Sequence, residues 1–275
     1  MKKEILEKVI EKEDLTLEES YNTMTSIMSG EVNNSQLAGF LIALKAKGET
    51  ATEIAGFANA MREKSIKIDV DIENTIDVCG TGGDNSSTFN ISTAAAFVVA
   101  GAGIKVAKHG NRSVSSLCGS ADVLQYLGID INLSPEKTEK ALNEIGIAFL
   151  FAPNYHPAMK YAAQVRKELG IRTVFNILGP MTNPASVKKQ LVGTFSPEVS
   201  NKLSEAASYL DYSRVCFLTS EGNMDEVSLS GSTIVYDYEQ ITGINLYKIN
   251  NENFGYPEIA KESIAGTTAE ANAKK

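Results

Sequence analysis

The chain has 275 residues, 43% hydrophobic and 22% charged, and its 34 acidic side chains outnumber 26 basic ones for a formal charge of -8. That balance excludes disordered, collagen-like and coiled-coil chains, and a net acidic chain is a poor candidate for a sequence-independent nucleic-acid binder. With no Trp and 7% aromatics there is little material for a platform that stacks single-stranded bases.

Residues 1–70 read as helix only. Thr16 N-caps a helix running to Met28, with Gly30 just past its end. Ser35 is expected to cap a second, Gln36 to Ala46, stopped by Gly48, and a third runs from about Ala51 to Arg62. Apolar residues recur at helical spacing, as Leu37, Phe40, Leu41 and Leu44, and as Ile54, Phe57, Ala58 and Met61. Such faces with short loops predict a small helical bundle. From Ile76 onward the pattern alternates. Ile76 to Cys79 is a strand, Ser92 to Ala102 an Ala-rich helix, Ile104 to Ala107 a strand, and Ala121 to Leu127 a helix. Ser134-Pro135 opens a helix that ends at Gly146, and Ile147 to Phe151 is a strand. Later come a strand from Gln190 to Phe195, a helix opened by Ser196-Pro197, and a strand from Arg214 to Thr219. Strands separated by single helices predict an α/β domain with a largely parallel sheet and right-handed crossovers.

Pro157 to Leu169 and Thr173 to Leu178 are consecutive helical pieces with no strand between them, expected to return to the helical domain. The expected division is a small helical domain of residues 1–70 joined by about 154–186, and an α/β domain of 71–153 and 187–275. Ser232 to Asn250 is strand-like around a turn at Ile241 to Ile244, and the tail from Ala265 to Lys275 is expected to fray. Cys79, Cys118 and Cys216 are far apart with no CxxC pair, which argues against a disulfide framework or a structural zinc. The charged start, Met1-Lys-Lys-Glu, does not read as a secretion signal, so a cytoplasmic protein is expected.

The strongest local signal is Asp77-Val-Cys-Gly80-Thr81-Gly82-Gly83-Asp84, at the end of a strand and before a helix, where an open parallel sheet binds its ligand. Glycines there let backbone N–H groups converge on an anion such as phosphate; a tight turn with no ligand would read the same way. Asn90-Ile-Ser92-Thr93 places small polar side chains at a helix start that favours anions. Lys108-His109-Gly110-Asn111-Arg112 follows the next strand, and its cations are candidate phosphate contacts, with a surface ion pair as the alternative for Arg112. A third loop, Ser115 to Asp122, repeats small hydroxyls and a glycine before a helix, which Asp122 can cap. Asp225-Glu226 suits a magnesium ion bridging to phosphates, or is a solvated acidic turn. Arg166 is either a fork for a carboxylate or an exposed helix charge. No Ser-His-Asp set and no paired general acid and base stand out, so electrostatic catalysis on a phosphorylated substrate fits best.

Together these segments resemble the anthranilate phosphoribosyltransferase family. The matching pieces are Asp77 to Asp84, Asn90 to Thr93, Lys108 to Arg112, Gly119 to Asp122, Phe151-Ala-Pro with His156-Pro, Val174 to Pro184, and Asp225-Glu226. The resemblance implies a helical domain plus a larger, mostly parallel α/β domain of nucleoside-phosphorylase and phosphoribosyltransferase type. It implies transfer of the phosphoribosyl group from phosphoribosyl pyrophosphate (PRPP) to anthranilate in tryptophan biosynthesis, by a homodimer formed through the helical domain, with no nucleic-acid or membrane partner. By resemblance Gly80, Thr81, Gly82, Gly83, Asp84, Thr88, Asn90, Ser92, Thr93, Lys108 and Ser120 bind PRPP. Gly80, His109, Asn111, His156 and Arg166 bind anthranilate. Lys108, Asp225 and Glu226 are implied as the catalytic residues. Two Mg2+ ions are implied, one on Ser92 and Glu226 and one on Asp225 and Glu226. One departure stands out, because the chain stops at Lys275, short of the helices that usually complete this family's α/β domain. Two alternatives are a degenerate, non-catalytic binding protein and a pyrimidine nucleoside phosphorylase, whose Lys-His-Ser-Thr-Gly-Gly loop is absent here.

Overall fold

The computed structural model describes residues 1–84, 86–113 and 118–275. The chain opens with α1 (Lys3–Ile10), α2 (Leu17–Met28), α3 (Asn34–Lys47) and α4 (Ala51–Glu63). Sequence reading did not isolate α1, whose charged surface hides a stripe made only of Ile5 and Val9. Thr16 caps α2 and Thr50 caps α4, each in a capping box with the Glu three residues on. The cap of α3 is Asn33, not Ser35: its Oδ1 accepts the Gln36 N–H at 2.9 Å, so the helix starts earlier than expected. Leu37, Phe40, Leu41 and Leu44 of α3 and Ile54, Phe57 and Ala58 of α4 are buried together, with Phe40 edge-on to Phe57.

The α/β part starts at β1 (Thr75–Gly80), then α5 (Ile91–Gly101), β2 (Lys105–Gly110), α6 (Ser120–Tyr126), α7 (Pro135–Glu144) and β3 (Ile147–Phe151). Two helices follow, α8 (Ala152–Tyr155) and α9 (Lys160–Leu169), with a 3-10 turn at Pro157–Met159 between them. After α10 (Phe175–Leu178) and a second 3-10 turn, Gly179–Thr182, come β4 (Lys189–Gly193), α11 (Pro197–Ala207) and β5 (Arg214–Ser220). The chain ends with β6 (Thr233–Glu239), β7 (Gly243–Ile249) and α12 (Ala269–Ala273). Helix α9 packs on α2 and α3, and α10 with the following 3-10 turn packs on α4. Ala162 and Val165 are buried in the same core as the first four helices.

The sheet order is β3-β2-β1-β4-β5-β6-β7. The first five strands in that order are parallel, and β6 and β7 add an antiparallel hairpin at one edge. The chain leaves β1 toward β2 and β3, then returns to place β4 on the other side of β1. That reversal opens a crevice beyond the ends of β1 and β4, the usual ligand position in such sheets. Gly80 and Gly193 are paired there at the strand ends. The tail does not fray. Helix α12 packs on α6, and Asn272 within it is buried, because its side chain finds polar partners on the α/β domain.

Between the helices, fully buried Glu53 accepts the Leu15 N–H at 2.9 Å, its own cap N–H at Thr50, and the Lys47 ammonium at 2.9 Å. Lys47 is itself only 3% exposed. Removing Glu53 leaves the Leu15 and Thr50 N–H groups without their acceptor and the Lys47 ammonium with only Asp14, at 2.7 Å, and the Gly48 carbonyl as partners. Glu53→Ala is therefore expected to cost about 3 kcal/mol of stability, read as a lower urea midpoint at unchanged slope.

Candidate active site

Four chain segments meet at the crevice: the loop after β1, the start of α5, the end of β2 and the turn after β5. Gly82 and Gly83 have φ of 65° and 75°, which turns the loop sharply and is strained for other residues. The loop is tied to β4, since Thr81 donates its N–H to the Gly193 carbonyl at 2.9 Å. Asp225 stacks against this floor so closely that a Cβ on Gly193 would overlap its carbonyl. The Asp225 carboxyl accepts the Gly82 N–H, and its own N–H donates to Asp84 Oδ2 at 3.3 Å. Glu226 Oε1 accepts the Ser92 N–H at 3.2 Å in the first turn of α5. Lys108, 3% exposed, donates to Ser92 Oγ at 3.2 Å and to the Val78 carbonyl. Gly82, Lys108 and Glu226 thus share one site, although they are far apart in sequence.

Charge is unbalanced here. Burial, then Asp84 beside it, raises the pKa of Asp225. Burial, then Asp225, pushes Glu226 up to about 8. Burial lowers the pKa of Lys108, while Asp77, Asp225 and Glu226 act to keep it charged. Among the described residues no three carboxylate, imidazole or thiol groups form a complete metal cage. That fits magnesium, which takes one or two carboxylates and fills its remaining positions with water and substrate phosphates. Burial and then mutual crowding disfavour the charged forms of these carboxyls, and a cation between them would favour those forms again. Thr81 Oγ1 and Thr93 Oγ1 are buried without a hydrogen-bond partner, so polar groups are left over at the loop and the helix start.

Asp77, fully buried below this site, accepts from Asn183 Nδ2 at 2.8 Å, Gln190 Nε2 at 3.0 Å and the His109 N–H at 3.2 Å. It joins β1, β2, β4 and the segment returning from α10. His109 and His156 lie side by side, rings 5.2 Å apart. His109 Nδ1 lies 3.2 Å from the Gly179 carbonyl. Burial lowers the pKa of His109 to about 3 and of His156 to about 4, so both rings are neutral. Arg166 is partly buried with its guanidinium 5.2 Å from the Phe175 ring, and burial lowers its pKa. No ion pair among the described residues engages it.

The other expected residues are more peripheral. Thr88 lies on a strand-like pairing with Ala265. Asn90 bonds to the Cys118 carbonyl and to Asn272. Ser120 donates to the Asn111 carbonyl at 3.2 Å, and Asn111 Oδ1 takes the Arg112 N–H. Arg112 pairs with Asp122 at 2.6 Å, and Asp122 also caps α6 at Gly119, so both are accounted for locally. Ser115, Ser116 and Leu117 of the third loop lie outside the described residues. Sequence reading missed Arg172, which donates to the Gly83 carbonyl and lies over the Phe195 ring at 4.5 Å. It joins the helical segment to the glycine loop. Two residues after Gly170 and outside any regular helix, it offers no periodic signal.

The fold, a helical bundle joined to a mostly parallel α/β sheet, is that of a glycosyl transferase family. The profile described as "Glycosyl transferase family, helical bundle domain" matches residues 3–65, and "Glycosyl transferase family, a/b domain" matches 72–275. A protein of Thermoanaerobacter sp. (strain X514) named anthranilate phosphoribosyltransferase is 46% identical over 274 residues, covering 100% of this chain and 81% of its own. The crystal structure of that enzyme from Thermus thermophilus superposes with a TM-score of 0.92 at 42% identity, covering 98% of this chain and 80% of its own. The Saccharomyces cerevisiae enzyme in complex with PRPP and Mg gives 0.89 at 29% identity, covering 98% of this chain and 78% of its own. The chain belongs to the anthranilate phosphoribosyltransferase family.

The chain's two histidines are the pair buried here. Their folded pKa values lie below the ordinary value of 6.5, so the unfolded chain binds more protons below that pH and their contribution to stability is lost as pH falls from 6.5 toward 4. The raised pKa values of Asp225 and Glu226 act in the opposite direction, so only a comparison with a variant isolates the histidines. Relative to the unmodified chain, His156→Gln is expected to gain about 2 kcal/mol between pH 7.5 and 5, measured by urea unfolding without magnesium.

Proposed function

We propose that this chain transfers the 5-phosphoribosyl group from PRPP to the amine of anthranilate and releases pyrophosphate. The observation that carries the reading is the meeting of the glycine loop, Lys108 and Asp225-Glu226 at the α5 start. The Saccharomyces cerevisiae relative, solved with PRPP and Mg and separately with 4-fluoroanthranilate, supports it. The name shared by its relatives favours this activity over the nucleoside phosphorylase and non-catalytic alternatives.

In this reading the N–H groups of Gly80 to Gly83, the first turn of α5 and Lys108 hold the diphosphate end of PRPP. The amine nitrogen bonds to ribose C1 as the C1–O bond breaks, that oxygen leaves with its electron pair on pyrophosphate, and the proton the nitrogen then sheds passes to the departing pyrophosphate or to water. Negative charge grows on the leaving group, and fixed donors aimed at it act without reorganising. Ser92 and Glu226 would hold one magnesium and Asp225 and Glu226 a second. Bound magnesium supplies charge that steadies the departing diphosphate. Arg166, partly desolvated and without an ion-pair partner, takes the anthranilate carboxylate, with neutral His109 and His156 and with Asn111 beside the aromatic ring. The aromatic amine carries an available electron pair at neutral pH, so placement stands in for a general base. We further propose a cytoplasmic homodimer joined through the helical bundle, whose Ile10, Leu17 and Ile42 are exposed.

Anthranilate fluorescence is expected to decay when protein, PRPP and Mg2+ are mixed. Persistent fluorescence under saturating substrates would refute the activity. Arg166→Ala is expected to raise the KM for anthranilate about a hundredfold, on the scale of a lost charge-assisted pair, with PRPP binding within about twofold. Equal losses for both substrates would remove Arg166 from its assigned role.

A further inference from the structure

Asn90 stands at the N-cap of α5, yet its side chain makes no capping bond to the helix. Asn at that position ordinarily turns its oxygen toward the helix N–H groups. Here Oδ1 turns away and accepts from Asn272 Nδ2 at 3.0 Å and, more weakly, from Cys118 Sγ at 3.5 Å, while Asn90 Nδ2 donates to the Cys118 carbonyl at 3.2 Å. The Asn272 carboxamide is fixed at its other end, where Oδ1 accepts the Thr267 N–H at 2.8 Å, and the residue is 7% exposed. The chain just before it holds the same segment independently. Thr88 and Ala265 form a β-bridge, Phe89 donates its N–H to the Ile264 carbonyl at 2.9 Å, and Gly266 donates to the Ser87 carbonyl at 2.7 Å. Residues 264–272 therefore strap down the stretch between the glycine loop and α5.

Resting on the transferase reading, we infer that Asn272 is a positioning residue for PRPP: it holds the Asn90 carboxamide off the α5 N-terminus. An Asn90 oxygen swung onto the helix would compete with Glu226 Oε1 for the Ser92 N–H. Held by Asn272, it leaves that N–H to Glu226. One of the two Asn90 Nδ2 protons also stays available to the ligand.

Asn272→Asp isolates this role. It keeps the acceptor for Thr267 but sets an oxygen against Asn90 Oδ1, and an Asn90 amide turned over to meet it would face the Cys118 carbonyl with its own oxygen, so neither orientation keeps both contacts that hold the carboxamide in place. PRPP binding in MgCl2 by calorimetry, with steady-state kinetics and melting temperature, reads the outcome. Asn272→Asp is expected to weaken PRPP binding and raise its KM about tenfold, with kcat and the KM for anthranilate unchanged and the melting temperature lowered by the buried carboxylate. In an Asn90→Ala background the same substitution is expected to weaken PRPP binding no further. Unchanged PRPP affinity in Asn272→Asp, or losses from the two sites that multiply, would overturn the inference alone. An unmodified chain that binds no PRPP would overturn the transferase reading and this inference with it.

Discussion

One buried ammonium faces more negative charge than it can neutralise, and the site is organised around that excess. Lys108 is the cation; Asp77, Asp225 and Glu226 surround it, and Asp84 adjoins Asp225. Charges taken out of water cost several kcal/mol each unless paired. Two of these carboxyls therefore hold protons far above the ordinary carboxylate range. Such a place repels a bare anion through Asp77, Asp84, Asp225 and Glu226, and cations brought with an anion would offset that repulsion. The glycine loop, the α5 start and the acidic turn act as one unit because they answer the same imbalance.

The scaffold keeps this unit in place from below and from the side. Asp77 fastens three strands and the returning segment to one carboxyl. Arg172 reaches from the helical segment to the Gly83 carbonyl. Any shift of the helical part against the sheet is therefore felt at the loop that would carry the phosphates. The neutral imidazole pair of His109 and His156 lies along the same seam, where a positive charge would add to that of Lys108.

Much of this is legible in the sequence because the informative residues sit at element ends. Glycines after Cys79 and hydroxyls at Ser92 and Thr93 mark the crevice through backbone chemistry that works at short range, whereas Lys108, expected to follow a strand that ends at Ala107, lies within β2, which runs on to Gly110. Helices with a full apolar period, such as α3 and α4, are equally readable. What stays hidden depends on distant partners. Helix α12 has five residues, too few for a period, and its Asn272 matters only because Asn90 lies beside it in space. Asp77 reads as one more strand residue until its three donors are assembled around it. Ser35 reads as the cap of α3 from sequence, and only the donor geometry moves the cap to Asn33.

The order in which these pieces occur along the polypeptide bears on how the molecule is made. The first four helices wait for α9 and α10, more than a hundred positions downstream, before their shared interior is closed. Phosphate-loop residues wait still longer, for the acidic turn and then for α12. Contacts this remote in sequence form slowly. Residues 264–272, which fasten residues 87–90 ahead of α5, follow β7 in the chain, so that approach to the site is tied down only by contacts made across nearly the whole α/β part.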